Sequence, residues 1–343
     1  MSFVRRSQLS GFRFHKESDT AAIIVSQLTR KFQDFVAVDH ISFQVNEGEI
    51  FGFLGPNGAG KTTTVKMLVT LLRPTSGSAQ VAGFDVARQP NDVRRSLGII
   101  FQDPSLDDRL TARENLRFHG MIYRVPGREL PGRIDQVLQW MQLEDRADHL
   151  VRTYSGGMKR RLEIARGLIH APKVIFLDEP TLGLDPQTRN RIWEYLLRLR
   201  EERGITLFMT THYMDEAEYC DRIAIIDSGR IIALDTPEKL KAGVRGDIID
   251  LQTDDDSLSE QELKQKYGYV AKQDDTGLHF EVQTGAEAIP VLVRELSAKV
   301  KTISSRKPTL DDVFLKMTGR EIRDSEASNR ERLKSFVRRT HRT

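Results

Sequence analysis

Nine consecutive residues of this sequence have the types and spacing that bind the phosphates of a nucleotide. They read GPNGAGKTT and match the pattern G-x-x-x-x-G-K-[ST]. Glycines at such positions let backbone N–H groups surround phosphate oxygens, and we expect Lys61 to neutralise the β and γ phosphates. Thr62 can offer its hydroxyl to Mg²⁺. The predicted nucleotide-binding residues of this loop are Gly55, Pro56, Asn57, Gly58, Ala59, Gly60, Lys61, Thr62 and Thr63.

A second segment, residues 174–180, ends an apolar run with two adjacent carboxylates. It reads VIFLDEP. A buried strand that ends beside the phosphate-binding loop would let Asp178 hold Mg²⁺ through the water shell of the ion. The next residue, Glu179, could then reach the water that attacks the γ-phosphate. Asp178 is therefore a predicted metal residue, and Glu179 is the predicted catalytic base.

A third segment, residues 154–158, has the residue types of a helix start. It reads YSGGM, and Ser155 is placed to cap the helix that follows. Apolar residues at helical spacing support that helix, namely Met158, Leu162, Ala165, Leu168 and Ile169. On its own, this segment predicts a well-capped helix.

The apolar pattern predicts the scaffold that positions these segments. Continuous apolar runs alternate with helical patterns, which is typical of a mainly parallel sheet covered by helices. These runs occupy residues 50–54, 97–101, 174–177 and 206–209. Residues 23–45 alternate between apolar and polar types and predict two antiparallel strands. The fold class is therefore α/β.

Two further stretches complete the first part of the chain. Residues 111–152 are mostly helical, interrupted by Pro126 and Pro131, and predict an inserted helical subdomain. Residues 223–226 and 230–234 are joined by a turn and predict a hairpin that closes this part.

The remainder of the chain predicts a small α+β domain. The pattern gives strands at 248–251, 269–272, 278–282 and 301–305, and helices at 258–266, 286–299 and 310–318. The first six of these elements follow one another as β-α-β-β-α-β, which is the ferredoxin-like order.

The three segments, in their order along the chain (residues 55–63, 154–158 and 174–180), resemble the ATP-binding-cassette (ABC) family of ATPases, and the resemblance extends over residues 21–240. Further matches to the family are Phe32, Gln102, the run Gly183, Leu184 and Asp185, and His212. The resemblance implies that Ser155, Gly156 and Gly157 bind the γ-phosphate held by the opposite subunit of a dimer. Tyr154 and Met158 differ from the commonest form of that motif, but the hydroxyl and the glycine amides are kept.

The resemblance also implies roles for the other matching residues. Gln102 would sense Mg²⁺ and the membrane partner, His212 would act as a switch near the γ-phosphate, and Asp185 would lie in the loop that crosses the dimer interface. Phe32 would stack on adenine in place of the commoner tyrosine, since it keeps the aromatic face. The implied cofactors are ATP and Mg²⁺. Glu179, His212 and Gln102 are the expected catalytic residues, and Thr62, Gln102 and Asp178 are the expected metal residues.

The segment PTLDDVFL, residues 308–315, with Thr318, Gly319 and Arg320, resembles the end of drug-resistance ATPases of the daunorubicin-exporter type. Those ATPases pair with separate membrane proteins of the ABC-2 class. The resemblance implies an exporter of drugs, lipids or secondary metabolites, powered by a homodimer or heterodimer of the ATPase. The expected division is an extension (1–20), a nucleotide-binding domain (21–240, with the helical subdomain at about 103–170), an accessory domain (241–319) and a basic tail (320–343).

The composition of the chain argues against membrane-spanning, secreted and disulfide-bonded proteins. The chain is 39% hydrophobic and 29% charged, and no apolar run approaches the roughly 18 residues of a membrane-spanning helix. The start of the sequence lacks the features of a secretion signal, so we expect a peripheral location on the cytoplasmic side of the cell membrane. A single cysteine, Cys220, excludes an intrachain disulfide and is predicted to serve packing.

The charge distribution argues against a nucleic-acid partner. The net charge is +3, but residues 320–343 hold eight Lys/Arg against four Asp/Glu, so the rest of the chain is nearly balanced. The tail could touch anionic lipid or simply be solvated. Two other readings stay open, a soluble cassette ATPase that acts on ribosomes or DNA and a polysaccharide-exporter ATPase. The first usually has paired cassettes or a long coiled coil, and the second needs a larger C-terminal domain.

Overall fold

The computed structural model describes residues 20–102, 105–244, 246–274 and 276–318. The predicted N-terminal extension before residue 20 and the basic tail lie outside the described residues. In the first part of the chain the elements are β1 (Ala21–Phe32), β2 (Phe35–Asn46), β3 (Ile50–Leu54), α1 (Lys61–Leu68), β4 (Ser76–Val81), β5 (Phe84–Asp85), α2 (Pro90–Ser96), β6 (Leu97–Ile100), α3 (Ala112–Ile122), α4 (Leu130–Trp140), α5 (Gly156–Leu168), β7 (Val174–Asp178), α6 (Pro186–Arg203), β8 (Thr206–Thr211), α7 (Met214–Ala217), β9 (Arg222–Asp227) and β10 (Arg230–Asp235).

A six-stranded sheet in the order β10-β9-β3-β8-β7-β6 forms the centre of this part. Its strands are parallel except for β10, which pairs antiparallel with β9. Every residue of β3, β7 and β8 is buried, as expected of strands covered on both faces. The predicted parallel sheet and closing hairpin are confirmed. The carboxyl ends of β3, β8 and β7 lie side by side, which brings the segments that follow them together.

A second, antiparallel sheet has the order β2-β1-β4-β5 and packs on the first through aromatic rings. Phe43 of β2 stacks on Phe51 of β3 with ring centroids 5.4 Å apart, and Phe51 lies 5.6 Å from Phe208 of β8. The two predicted antiparallel strands are β1 and β2, and their pairing is confirmed.

The stretch at residues 111–152 that was predicted to be helical contains α3 and α4, and these two helices contact α5 to form a helical layer. A capping box starts α3, in which Thr111 and Glu114 exchange hydrogen bonds. Pro131 was predicted to interrupt the helical stretch, and this was wrong. Pro131 occupies the first turn of α4, where a missing N–H breaks no helical hydrogen bond. Cys220 is buried, in agreement with its predicted packing role.

The C-terminal part begins after the short helix α8 (Pro237–Ala242). Its elements are β11 (Asp247–Thr253), α9 (Asp256–Glu262), β12 (Lys272–Asp274), β13 (Gly277–Val282), α10 (Gly285–Glu295), β14 (Val300–Arg306) and α11 (Leu310–Thr318). The strands form an antiparallel sheet in the order β12-β13-β11-β14. The predicted β-α-β-β-α-β order is confirmed. The last helix, α11, buries Leu310, Val313 and Phe314 in the same hydrophobic cluster as Leu240, which lies in α8.

Two predicted boundaries in this part were wrong. The strand expected at 269–272 is β12, which starts at Lys272, because Tyr267 and Tyr269 stack on one another and Tyr269 stacks on Phe280. The helix expected at 286–299 ends at Glu295, where Leu296 takes up an extended conformation. Among the helices of the described residues, none has the length and apolar character needed to cross a membrane.

Candidate functional site

The loop between β3 and α1 can form only because glycine occupies the positions where its backbone comes close to the backbone of other segments. Gly58 and Gly60 have φ angles of 82° and 111°, which side chains disfavour. A Cβ on Gly60 would lie 2.6 Å from the Ala37 carbonyl oxygen, and one on Gly55 would lie 2.2 Å from the Ile226 carbonyl oxygen. The sequence therefore dictates a loop that curls tightly at the start of α1.

Lys61 directs its ammonium group into this loop. The side chain is 5% exposed, and Nζ donates hydrogen bonds to the carbonyl oxygens of Gly55 at 2.6 Å and Pro56 at 3.1 Å. The same nitrogen lies 3.6 Å from Oε1 of Glu179. The structure thus brings the predicted phosphate-binding cation and the predicted base into one cluster.

Asp178 ends β7 beside the first turn of α1 and is 3% exposed. Its Oδ1 accepts a hydrogen bond from the hydroxyl of Thr210 at 2.5 Å and lies 3.4 Å from the hydroxyl of Thr62. A carboxylate and a hydroxyl are the oxygen ligands that suit Mg²⁺, so the residues here fit the ion. Thr210 was missed in the sequence analysis, although a polar residue near the end of the apolar run of β8 was a signal.

Glu179 has an unusual backbone and an enclosed side chain. Its φ is +47°, in the left-handed region, and its N–H donates to the hydroxyl of Thr210 at 3.1 Å. Oε1 lies 3.1 Å from Nδ1 of His212. Burial alone would raise the pKa of the Glu179 carboxyl, but the hydrogen bond with His212 and the charge of Lys61 outweigh it and hold the pKa below its ordinary value. The group is therefore ionised at neutral pH and can accept a proton.

A second buried carboxylate supports this cluster from behind. Glu216 is 1% exposed and accepts hydrogen bonds from the hydroxyls of Thr181 and, at 2.7 Å, Thr211. Burial raises the pKa of Glu216 above its ordinary value. Because Thr211 precedes His212 and Thr181 follows the carboxylate pair, Glu216 links the two loops that carry His212 and Glu179. No feature of the sequence singled it out.

The residues of the YSGGM segment form a second group with Asp185. Ser155 caps α5 as predicted, since its hydroxyl accepts from the N–H of Met158 at 3.3 Å. Asp185 caps α6 by accepting from the hydroxyl of Thr188 at 2.6 Å and from its N–H at 3.0 Å, and these two hydrogen bonds, the hydroxyl first, lower the pKa of Asp185. A Cβ on Gly157 would lie 2.7 Å from Cγ2 of Thr188. The N-terminal turns of α5 and α6 are therefore neighbours.

The two remaining predicted residues lie at the ends of strands. Gln102 follows β6 and is exposed. Phe32 ends β1 with 38% of its surface exposed, and the guanidinium of Arg30 lies 4.5 Å from its ring centroid. One face of the Phe32 ring is thus covered by a cation, and its stacking on adenine stays a prediction.

Family models match most of the chain. A model described as ABC transporter matches residues 38–182. A second model, described as ATP-binding protein DrrA1-3-like, C-terminal domain, matches residues 236–318.

Individual relatives agree with these matches. The chain is 39% identical over 322 residues to the daunorubicin resistance ATP-binding protein DrrA2 of Streptomyces coeruleorubidus, covering 90% of this chain and 98% of the relative. It is 37% identical to the Nod factor export ATP-binding protein I of Ralstonia nicotianae, covering 89% and 96%.

Solved structures resemble about two thirds of the chain. One is cbiO1 of Clostridium perfringens, part of an ABC transporter complex, with a TM-score of 0.61 and 31% identity over 65% of this chain and 92% of that one. Another is a dimeric ATP-binding cassette in a post-hydrolysis state with ADP and Pi bound, with a TM-score of 0.56 and 29% identity over 62% and 98%.

Proposed function

This chain belongs to the ABC transporter ATPases, and from that premise we propose that two copies close on two ATP molecules to drive a separate membrane permease. The chain is an ATP-hydrolysing subunit of a drug-resistance type of exporter. The finer parts of the proposal are a permease of the ABC-2 class, a drug, lipid or secondary metabolite as the exported molecule, and a peripheral position on the cytoplasmic side of the cell membrane. We also propose that residues 21–240 and 241–319 are its two domains.

One observation supports the proposed chemistry: Lys61, Asp178 and Glu179 lie close together at the carboxyl ends of neighbouring strands. In the proposal, Lys61 exchanges the loop carbonyls for the β and γ phosphates of ATP. Thr62 and Asp178 would hold Mg²⁺, with Gln102 as a further ligand. An ion held there would supply positive charge to neutralise the phosphate oxygens. The remaining loop residues from Gly55 to Thr63, except Pro56, bind the phosphates through backbone N–H groups, and Thr63 adds its hydroxyl. Pro56 has no N–H and lines the loop.

Glu179 and His212 have different roles toward the attacking water. The ionised carboxylate of Glu179 takes the proton of the water as it attacks the γ-phosphate. His212 holds that carboxylate through the 3.1 Å contact and lies ready to contact the γ-phosphate. Phe32 stacks on adenine at the other end of the nucleotide.

The second group of residues is proposed to serve the partner copy. Ser155, Gly156 and Gly157 lie at the start of α5, and the N-terminus of a helix attracts the charge of a phosphate. Asp185 lies in the turn that leads into α6 and is proposed to cross the dimer interface. The resemblance to a dimeric cassette with ADP and Pi bound supports this arrangement.

Lys61→Ala is expected to weaken ATP binding by at least about tenfold, because a hydrogen bond to a charged group contributes roughly 1.5–3 kcal/mol. Equilibrium binding of a fluorescent ATP analogue to the purified chain measures the effect. Lys66→Ala is the matched control, since Lys66 is the other lysine of α1 and is exposed. Equal affinities for the two variants would contradict the role given to Lys61.

The permease is tested by purifying the tagged chain from detergent-solubilised membranes and identifying the proteins that travel with it. We expect a protein with several membrane-spanning segments in stoichiometric amount. Ribosomal proteins or DNA in its place would support the soluble-cassette alternative and contradict the transport proposal.

A further inference from the structure

We propose that Arg160 is a positioning residue for Glu179 and ties the backbone of this carboxylate to the loop that carries Gln102. The inference rests on the proposed role of Glu179 as the group that activates water. It concerns a buried side chain of α5 that belongs to neither group of site residues described above.

Arg160 donates hydrogen bonds to three carbonyl oxygens from two separate segments. The side chain is 8% exposed. Its Nε lies 2.5 Å from the carbonyl oxygen of Pro180, and Nη2 lies 3.3 Å from that of Glu179. Its Nη1 lies 2.6 Å from the carbonyl oxygen of Phe101, the residue before Gln102. Because a guanidinium is a rigid planar fork, it fixes these carbonyls relative to one another.

The backbone of Glu179 needs such support. A residue other than glycine with a φ of +47° is strained and keeps this conformation only when its surroundings enforce it. Thr210 holds the N–H side of Glu179 from β8. Arg160 holds the carbonyl side from α5. The direction of the catalytic carboxylate therefore depends on a contact from each side.

Glu163 holds Arg160 by an ion pair and also contacts Ser105, which follows Gln102 in the chain. Its carboxylate is 1% exposed, and Oε2 accepts from Nη1 of Arg160 at 3.0 Å. The other oxygen accepts from the N–H of Ser105 at 2.6 Å. Arg166 adds a hydrogen bond to the carbonyl oxygen of Ser105 at 3.1 Å.

The helix α5 thus holds the chain on both sides of Gln102, through Arg160 at Phe101 and Glu163 at Ser105. Arg160 also holds the carbonyl group of Glu179. A displacement of the Gln102 loop would shift Arg160, and with it the carbonyl of Glu179. Loss of this link should misdirect the carboxylate without touching Lys61 or the loop that binds the phosphates of ATP. The rate of the chemical step should fall, while ATP affinity should stay.

The test compares Arg160→Lys with Arg161→Lys in steady-state ATP hydrolysis by the purified full chain. A lysine keeps the charge and loses the fork. We expect Arg160→Lys to lower kcat by about tenfold to a hundredfold, the range of a small misplacement of a catalytic group, with KM for ATP changed less than about twofold. Arg161 is the matched control because it also donates to carbonyl oxygens, those of Met141 and Gln142, but within the helical layer. Its variant should keep kcat within about twofold.

Glu163→Gln provides a second variant that keeps the shape and the hydrogen-bond acceptor for Ser105. It should lower kcat less than Arg160→Lys does and leave KM unchanged. Glu179→Gln, measured in parallel, separates the two proposals. If Glu179→Gln is inactive while Arg160→Lys and Glu163→Gln keep the native kcat, the positioning role is wrong and the proposed base stands. Equal losses in Arg160→Lys and Arg161→Lys would also overturn the inference, since they would indicate a general effect on α5.

Discussion

Glu179→Gln is expected to bind ATP as the native chain does and to lose turnover by about a hundredfold to ten-thousandfold, the range that general base catalysis contributes. The change removes the charge that accepts a proton from the attacking water. It preserves the shape of the side chain and a polar contact with Nδ1 of His212, which lies 3.1 Å from Oε1. The contacts of Lys61 with the loop carbonyls are not altered.

The pKa of Glu179 ties the expected loss of turnover to the ionised form of this carboxylate. Its pKa is held below the ordinary value, so the native carboxylate stays ionised at neutral pH and loses its charge only as the pH falls through that lowered pKa. A glutamine cannot titrate, and no change of pH should restore the activity of the variant. We further propose that hydrolysis reopens the closed dimer, so the variant should also accumulate as an ATP-bound dimer.

Phosphate release and size-exclusion chromatography with ATP measure the two effects. Glu218→Gln is the matched control, since the carboxylate of Glu218 pairs with Lys241 at 2.6 Å and not with Lys61. A native rate of hydrolysis in Glu179→Gln would show that another group acts as the base.

The central sheet was predictable because its inner strands β3, β7 and β8 are buried on both faces. Burial of this kind produces continuous apolar runs, and the runs at β3, β7 and β8 were read correctly. The edge strand β12 was misplaced because it has only three residues and no apolar pattern. Tyr267 and Tyr269, whose residue type favours a strand, lie before β12; they stack on one another, and Tyr269 also stacks on Phe280.

The candidate site was predictable where its residues follow one another in the chain and not where they meet across the fold. Thr210 contacts Asp178 because β7 and β8 pair in a register that places these two residues opposite one another. That register is fixed by the packed sheet and cannot be seen in the local sequence. The left-handed backbone of Glu179 is likewise invisible, because glutamate is not a residue type that favours it.

Gly157→Asp is expected to reduce formation of the closed dimer by about a thousandfold. In the proposed dimer, the new carboxylate would face the γ-phosphate held by the partner copy. Two like charges about 4 Å apart at an effective dielectric constant near 20 repel by roughly 4 kcal/mol. Binding of ATP to the single chain should be unaffected, because the phosphate loop is unchanged.

The structure supplies the control that separates this repulsion from a local clash. A side chain at position 157 must displace Cγ2 of Thr188, which would lie 2.7 Å from the new Cβ. Gly157→Asn imposes the same displacement and carries no charge. An aspartate in the first turn of α5 is also favourable to that helix, since it faces the positive end of the dipole. The carboxylate of Asp185 also lies near position 157 in the same chain, because it accepts hydrogen bonds from Thr188. Equal thermal stability of the two variants as single chains is therefore the condition for assigning a difference between them to the dimer.

The comparison is made by measuring ATP-dependent dimer formation and ATP hydrolysis for Gly157→Asp and Gly157→Asn side by side. We expect Gly157→Asp to stay monomeric and inactive at concentrations where Gly157→Asn still dimerises and retains part of its activity. Gly156→Asp extends the test, because a Cβ on Gly156 meets open space in its own chain and any effect on dimer formation must come from the partner. If both aspartate variants dimerise and hydrolyse ATP as the native chain does, the start of α5 does not contact the nucleotide of a second copy, and each chain must complete its site alone.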